Sequence, residues 1–407
     1  MTTKTLYTFT LISLINFLLA ATLGLMLRYA FIGDIPFNFN YLLHAHSHVA
    51  ALGWAYQMIG TLIVFFFIKK DSDFYKKLFW VTQISVFGMM FSFPFQGYGS
   101  VSIPFSSLHI ICSYSFIFFV WKNAFYNSAS EKYFLRAALI FLAISTLGIW
   151  MLGPSIALYG KNSILYQISI QFYLHFQFSG WFIFSILALL IRHFSATIYL
   201  ELAPAILKRL TILLIATVPL SFSLVAYWFF KNESLILINA LVVFIQLFLV
   251  IFLISRLRKV SLLFANHDKS IRLLLFIGLL SLMLKVIFQT FTSIPEIAIL
   301  SHQVRNFSIG YIHLIMLGFA SSILFFMIFG ILKMKMNLSG KLAIWLFIVG
   351  YVLSEFILFL QGILFSNGLG QMNSYHEILF IISTLLIIAI AIIGVNLYKQ
   401  KPEIKSE

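Results

Sequence analysis

The stretch Tyr41-LLHAHSHVAALGWAYQMIGTLIVFFF-Ile68 contains no Lys, Arg, Asp or Glu, yet carries three histidines in its first third. A helix needs about 20 apolar residues to cross the hydrocarbon of a bilayer, and this run exceeds that length. An imidazole in hydrocarbon is costly unless something binds it. The setting also recurs. His48-Val-Ala-Ala-Leu-Gly53-Trp54 is followed by His175-Phe-Gln-Phe-Ser-Gly180-Trp181 and by His313-Leu-Ile-Met-Leu-Gly318-Phe319. Three copies of H-x4-G-aromatic inside apolar runs point to a cofactor.

Working outward, apolar runs long enough to span fall at 5–30, 41–68, 74–97, 103–124, 131–153 and 164–192. Six more lie at 208–230, 234–256, 271–293, 303–331, 340–365 and 373–398. A chain that is 61% hydrophobic and 10% charged has too little polar surface to cover an apolar interior in water. The expectation is an all-α, polytopic membrane protein of twelve transmembrane helices. The intervals between the three histidine copies each correspond to about four helices, which predicts three quasi-repeated four-helix units. Residues 1–398 read as one transmembrane domain and 399–407 as a short charged cytoplasmic tail. The first run is too long for a signal-peptide core and reads as a retained helix. The single cysteine, Cys112, makes an internal disulfide impossible, and no C-x-x-C-H motif is present for covalent haem attachment.

The net charge of +15 is explained by its distribution. The second, fourth, sixth, eighth and tenth connections and both termini hold 22 of the 27 Lys and Arg residues. Arg28, Lys161, Lys231 and Arg305 alone occupy the odd-numbered connections. By the positive-inside rule both termini are cytoplasmic and the protein sits in a plasma (inner) membrane. The basic surplus reads as topology and contact with anionic lipid, so no nucleic-acid partner is expected.

With that orientation every even-numbered helix begins at the outer face. His44, His46 and His48 fall near the start of helix 2, His109 near the start of helix 4, and His376 at the start of helix 12. His175 and His313 lie about ten residues into helices 6 and 10. These positions extend from the outer interface towards mid-membrane. His44 and His48 are one turn apart and share a face, whereas His46 points roughly the other way, so the three cannot serve one centre. Two readings stay open for the cluster: ligands, or interfacial histidines satisfied by headgroups and loop carbonyls. For His175 and His313 the alternative to ligation is an interhelical hydrogen bond. The glycine of the motif would let a flat macrocycle or a neighbouring backbone approach, and the aromatic would form an apolar wall.

In these features the chain resembles the catalytic subunit of the haem–copper oxidase superfamily. Leu43-His44-Ala45-His46 through Gly53-Trp54 is similar to the region supplying one low-spin haem ligand there. Gly310-Tyr311-Ile312-His313 is similar to the helix 10 region supplying the opposing ligand, and His175 matches a copper-ligand position on helix 6. The resemblance implies a non-covalent b-type haem on His313 and on His44 or His48. It also implies a second metal position at His175, assisted by His109 and His46. The chain departs from the pattern at Tyr311, where a second helix 10 histidine is expected, and at Ser179, where a tyrosine is expected. Residues 208–230 hold no histidine, which leaves the copper ligand set incomplete. The pattern also resembles, more loosely, the nitric-oxide-response membrane protein NnrS. The implied activity is binding a diatomic gas, nitric oxide or oxygen, or transferring electrons, as in oxidoreductases of cytochrome oxidase or nitric oxide reductase type. No docking site for an electron donor is legible.

Lys285 in helix 9 and Glu355 in helix 11 are charges inside the membrane, each about 14 residues, or about 21 Å, from the cytoplasmic end. They read as a proton or charge pathway, or as an ion pair orienting two helices. The competing function is a twelve-helix secondary or metal-ion transporter using the intramembrane histidines and the Lys285/Glu355 pair.

Overall fold

In hydrocarbon every backbone amide must be satisfied within its own helix. The computed structural model, which describes residues 1–70, 72–194, 204–261 and 268–400, is accordingly helical, with no strand among the described residues. Twelve helices among them are long and apolar enough to cross a membrane: α1 Thr3–Tyr29, α2 Phe39–Phe67, α3 Ser72–Gln96, α4 Ser102–Asn123, α5 Ala129–Tyr159 and α6 Ile164–His193. They continue as α7 Lys208–Phe230, α8 Glu233–Ser255, α9 Lys269–Phe291, α10 Arg305–Ile331, α11 Leu338–Ser366 and α12 Tyr375–Lys399. The chain is a multi-pass membrane protein. Its outward faces are apolar, as at Phe95, Phe118, Leu237 and Phe248, while Asn16, Gln57, Gln83 and Gln361 are buried. His267 and the tail residues 401–407 lie outside the described residues.

Two helix ends differ from expectation. The apolar run of α5 was expected to stop at 153, before Pro154, but the helix continues to Tyr159. A proline removes one donor near the end of a long helix, and the stop comes instead at Gly160, with φ of 78°. Before α10 the chain breaks at Val304, which separates a short helix, Pro295–Gln303, from Arg305.

The chain divides into two compact units that do not follow linear order. The first comprises Met1–Ala124, His267–Gly278 and Met316–Glu407; the second comprises Phe125–Asn266 and Leu279–Ile315. In the first unit α1 packs against α2 and α12, and α11 against α12. Asn16 ties three of its helices. Its Nδ2 donates to Gly53 O and Gln83 Oε1, both at 2.9 Å, and Gln83 Nε2 donates back to Asn16 Oδ1. Such paired amides are the polar contacts that hold helices together where no hydrophobic drive exists. Trp54 stacks on Phe17 at 4.7 Å and donates from Nε1 to Ser321 Oγ at 2.9 Å.

In the second unit α5 packs along α6 and against α7. A Cβ on Gly148 would stand 2.4 Å from the Ser169 carbonyl oxygen, so only glycine permits the α5–α6 approach. At the opposite end of α6, Arg192 Nη1 donates to Glu131 Oε2 at 3.0 Å. Ser128 caps α5 by accepting from Glu131 N.

At the start of α9 in the first unit, Asp268 Oδ1 accepts from Ser270 N at 2.8 Å and its Oδ2 meets Lys341 Nζ at 3.0 Å. Burial opposes ionisation of this carboxyl. The Ser270 amide and hydroxyl together with Lys341 outweigh that and hold it below the ordinary carboxylate range. A depressed folded value gives stability that is present at neutral pH and lost as pH falls through it. Asp268→Ala should therefore lower resistance to denaturation by about 1 kcal/mol at pH 7. The difference from the parent chain should shrink towards zero in acid, as thermal unfolding at both pH values would show.

Candidate functional site

Each of the three H-x4-G-aromatic segments adopts the same local conformation. α2 is α-helical up to His48 and then π-helical over Val49–Tyr56. α6 changes in the same way after His175, over Phe176–Phe182, and α10 after His313, over Leu314–Ser321. π-turns are rare and concentrate at functional sites, because they re-aim the side chains that precede them. In two of the segments the glycine serves helix packing. A Cβ on Gly53 would meet Val86 at 2.8 Å and Asn16 at 3.1 Å, and one on Gly180 would meet Phe141 at 2.6 Å. The glycine was expected to admit a macrocycle or a neighbouring backbone; at both places it admits neighbouring side chains.

In the first unit the α2 histidines divide by face. His46 Nδ1 donates to Ala20 O at 2.8 Å, and its ring lies against Gly24, so it is directed at α1. His44 and His48 share the other face, with ring centroids 6.5 Å apart. His48 Nδ1 lies 2.8 Å from the His44 carbonyl oxygen. A carbonyl can only accept, so Nδ1 carries the hydrogen and Nε2 carries the lone pair. Tyr98 OH donates to that Nε2 at 3.3 Å. Tyr98 comes from the turn joining α3 to α4, where Gly97 adopts φ of 59° against the ring of Tyr41. Phe93 closes the same face, 4.6 Å from the His48 ring.

His109 on α4 is buried, and its Nε2 makes no hydrogen bond. Ser113 Oγ stands 3.5 Å from its Nδ1, and the Tyr56 ring packs on it at 4.8 Å. His376 on α12 stacks on Phe31 at 4.3 Å. Glu355 is buried on α11, and Arg28 is the charged group whose field reaches it.

The second unit holds the remaining site residues. His175 Nε2 donates to Val218 O on α7 at 2.9 Å, which leaves the lone pair on Nδ1. The field of Lys285 reaches His175. Lys285 on α9 is 4% exposed; its Nζ donates to Gln289 Oε1 at 2.7 Å and stands 5.9 Å from the centre of the Tyr311 ring. The Ser179 hydroxyl is within hydrogen-bonding reach of the Tyr311 hydroxyl. The two positions at which the chain departs from the oxidase-like pattern thus meet each other. His313 follows two residues after Tyr311, at the α-to-π junction of α10. Lys285 and Glu355 lie 16 and 17 residues into their helices, deeper than expected, and belong to different units. Outside the spans, His302 stacks on Trp228 at 4.7 Å, and burial holds its imidazole below the ordinary histidine range.

Sequence reasoning missed Tyr98, Tyr56 and Gln289. The Gly97-Tyr98-Gly99 turn was the available signal for the first, and the four-residue spacing from Lys285 for the last. Among the described residues no group of three or more His, Cys, Asp or Glu side chains gathers closely enough to hold a metal ion. A haem asks less of the protein, since one neutral imidazole with a free lone pair can ligate its iron. Within the first unit, Nε2 of His48 carries a lone pair that Tyr98 OH now meets, and Nε2 of His109 has no hydrogen-bond partner. The chain matches no protein-family model and no curated protein sequence.

Proposed function

We propose that this chain is a haem-binding integral membrane protein of oxidase-like architecture that binds a diatomic gas, nitric oxide or oxygen, or passes electrons. The observation that carries the reading is the recurrence of one device. In α2, α6 and α10 a histidine ends an α-helical stretch and a buried π-turn begins at the next residue. Chance placement of polar side chains in apolar helices does not produce the same backbone change three times. A repeat of four helices, α1–α4, α5–α8 and α9–α12, belongs to the same reading.

In the first unit the imidazole offered to iron is that of His48, with His44 beside it; in the second unit it is that of His313. Iron in a non-covalent b-type haem would supply the redox couple and the gas-binding position. The chain's own residues set the surroundings. The His44 carbonyl fixes the His48 tautomer and makes Nε2 the better donor. Phe93 and Tyr98 cover the ring from the loop side, limiting water. No second metal position is proposed, since no group of three His, Cys, Asp or Glu side chains gathers among the described residues.

The visible absorption spectrum of the purified protein tests this reading. A Soret band that shifts on reduction and again with nitric oxide is expected. A colourless protein after expression with ample haem would overturn the proposal in favour of a twelve-helix transporter.

A further inference from the structure

Lys285 poses a chemical problem that its own unit does not solve. Its ammonium is 4% exposed, about 9 Å by helical rise from the outer end of α9 at Phe291. One of its three hydrogens is taken by Gln289 Oε1, and the face of Tyr311 lies 5.9 Å from it. Both are neutral. The described acids of the second unit lie elsewhere: Glu131 is engaged by Arg192, while Glu233 and Glu296 begin helices at the chain's turns. A desolvated cation with two N–H groups unmet is expensive unless an anion completes it.

The groups around Lys285 define what would complete it. The Gln289 carboxamide accepts from Lys285 through Oε1, and its NH2 is a second donor on the same side chain. Tyr311 carries a hydroxyl that reaches Ser179, so its ring is held in place beside the ammonium. An ammonium and a carboxamide NH2 on successive turns of one helix are two donors, the complement in kind and number of the two oxygens of a carboxylate. We propose that Lys285 and Gln289 form a carboxylate-binding site, with Tyr311 as its wall.

Two sources supply that chemistry. One is a propionate of the haem, which makes this arm rest on the function proposed above. His313 lies about 12 Å inside the outer end of α10, slightly deeper than Lys285 within its own helix. A propionate directed outward from iron at that depth would reach the level of the ammonium. The other source is a free small carboxylate.

The test uses the full chain, purified with little haem and reconstituted in lipid nanodiscs. Protohaem and its dimethyl ester, in which both carboxylates are blocked, are titrated against the Soret band. The parent chain should bind the ester about tenfold more weakly than the acid, and Lys285→Met should close that gap. Sodium acetate against sodium chloride at equal ionic strength reads the second source. A saturable rise in thermal stability with acetate, absent in Lys285→Met, assigns the site to free carboxylates. Should neither porphyrin bind, the haem reading falls and the acetate series alone decides. Equal binding of acid and ester together with no acetate effect overturns the site. The ester comparison is made on the unaltered chain, so it stands even if the variant folds poorly.

Discussion

Glu131→Leu should destabilise the protein by about 3–5 kcal/mol, the largest stability loss expected of any single charge removal here. The carboxylate is fully buried, and Arg192, whose side chain is 8% exposed, donates to it at 3.0 Å. Glu131 Oε2 also accepts from Asn127 N at 2.9 Å, so one carboxylate ends a loop, begins α5 and neutralises the last turn of α6. The guanidinium lies 4.4 Å from the centre of the Phe125 ring, which offers it no formal charge. Removing the acid takes from the buried guanidinium its carboxylate and from the Asn127 amide its acceptor, and breaking a buried pair from one side costs more than the bond itself contributes. The double variant Glu131→Leu/Arg192→Leu should recover most of the loss, because two apolar groups of similar size need no compensation. Thermal or detergent-induced unfolding of the three variants gives the comparison. A single-variant loss under about 1 kcal/mol would mean that water reaches the pair, as for surface ion pairs.

The same principle, that membrane burial makes polar groups expensive, decides what could be read in advance. Twelve spans were legible because a bilayer requires runs of about 20 apolar residues, and little else in a sequence looks like that. Their ends were less so: the apolar run of α5 was placed at 131–153, whereas the helix passes Pro154 and ends at Gly160, because one missing donor near a terminus does not stop a helix. The separation of His46 from His44 and His48 followed from helical angle alone. The π-turns did not, because no residue preference marks the switch from i→i−4 to i→i−5 bonding. The motif glycines were legible as close-approach positions but not as to what approaches. Tyr98 was invisible for a different reason. It reaches His48 from 50 residues away, through a turn set by Gly97, and only tertiary placement creates that contact. Lys285 and Glu355 were legible as charges at similar depth, but depth carries no angular information, so the bond from Lys285 to Gln289 on its own helix was not legible.

Of the α2 histidines, His48 should be the one whose loss empties the haem site. His48→Ala should remove most of the Soret absorbance, whereas His46→Ala should retain it. The argument is about nitrogen lone pairs. His48 is held by its own helix: the His44 carbonyl takes the Nδ1 hydrogen, and Nε2 is presented on the face shared with Phe93 and Tyr98. His46 faces α1 and donates to Ala20 O, where a Cβ on Gly24 would already touch its ring at 2.8 Å. His44→Ala keeps the carbonyl that orients His48, since that group belongs to the backbone, and should therefore lower haem content far less than His48→Ala. Tyr98→Phe removes the hydroxyl that now occupies Nε2 and should leave haem content undiminished. The absorbance ratio of the Soret band to the protein band across these four variants and His313→Ala, which should also lose most of its haem, checks the assignment. A His44→Ala loss equal to that of His48→Ala would transfer the ligand role to His44, and full retention in both would remove α2 from the haem site altogether.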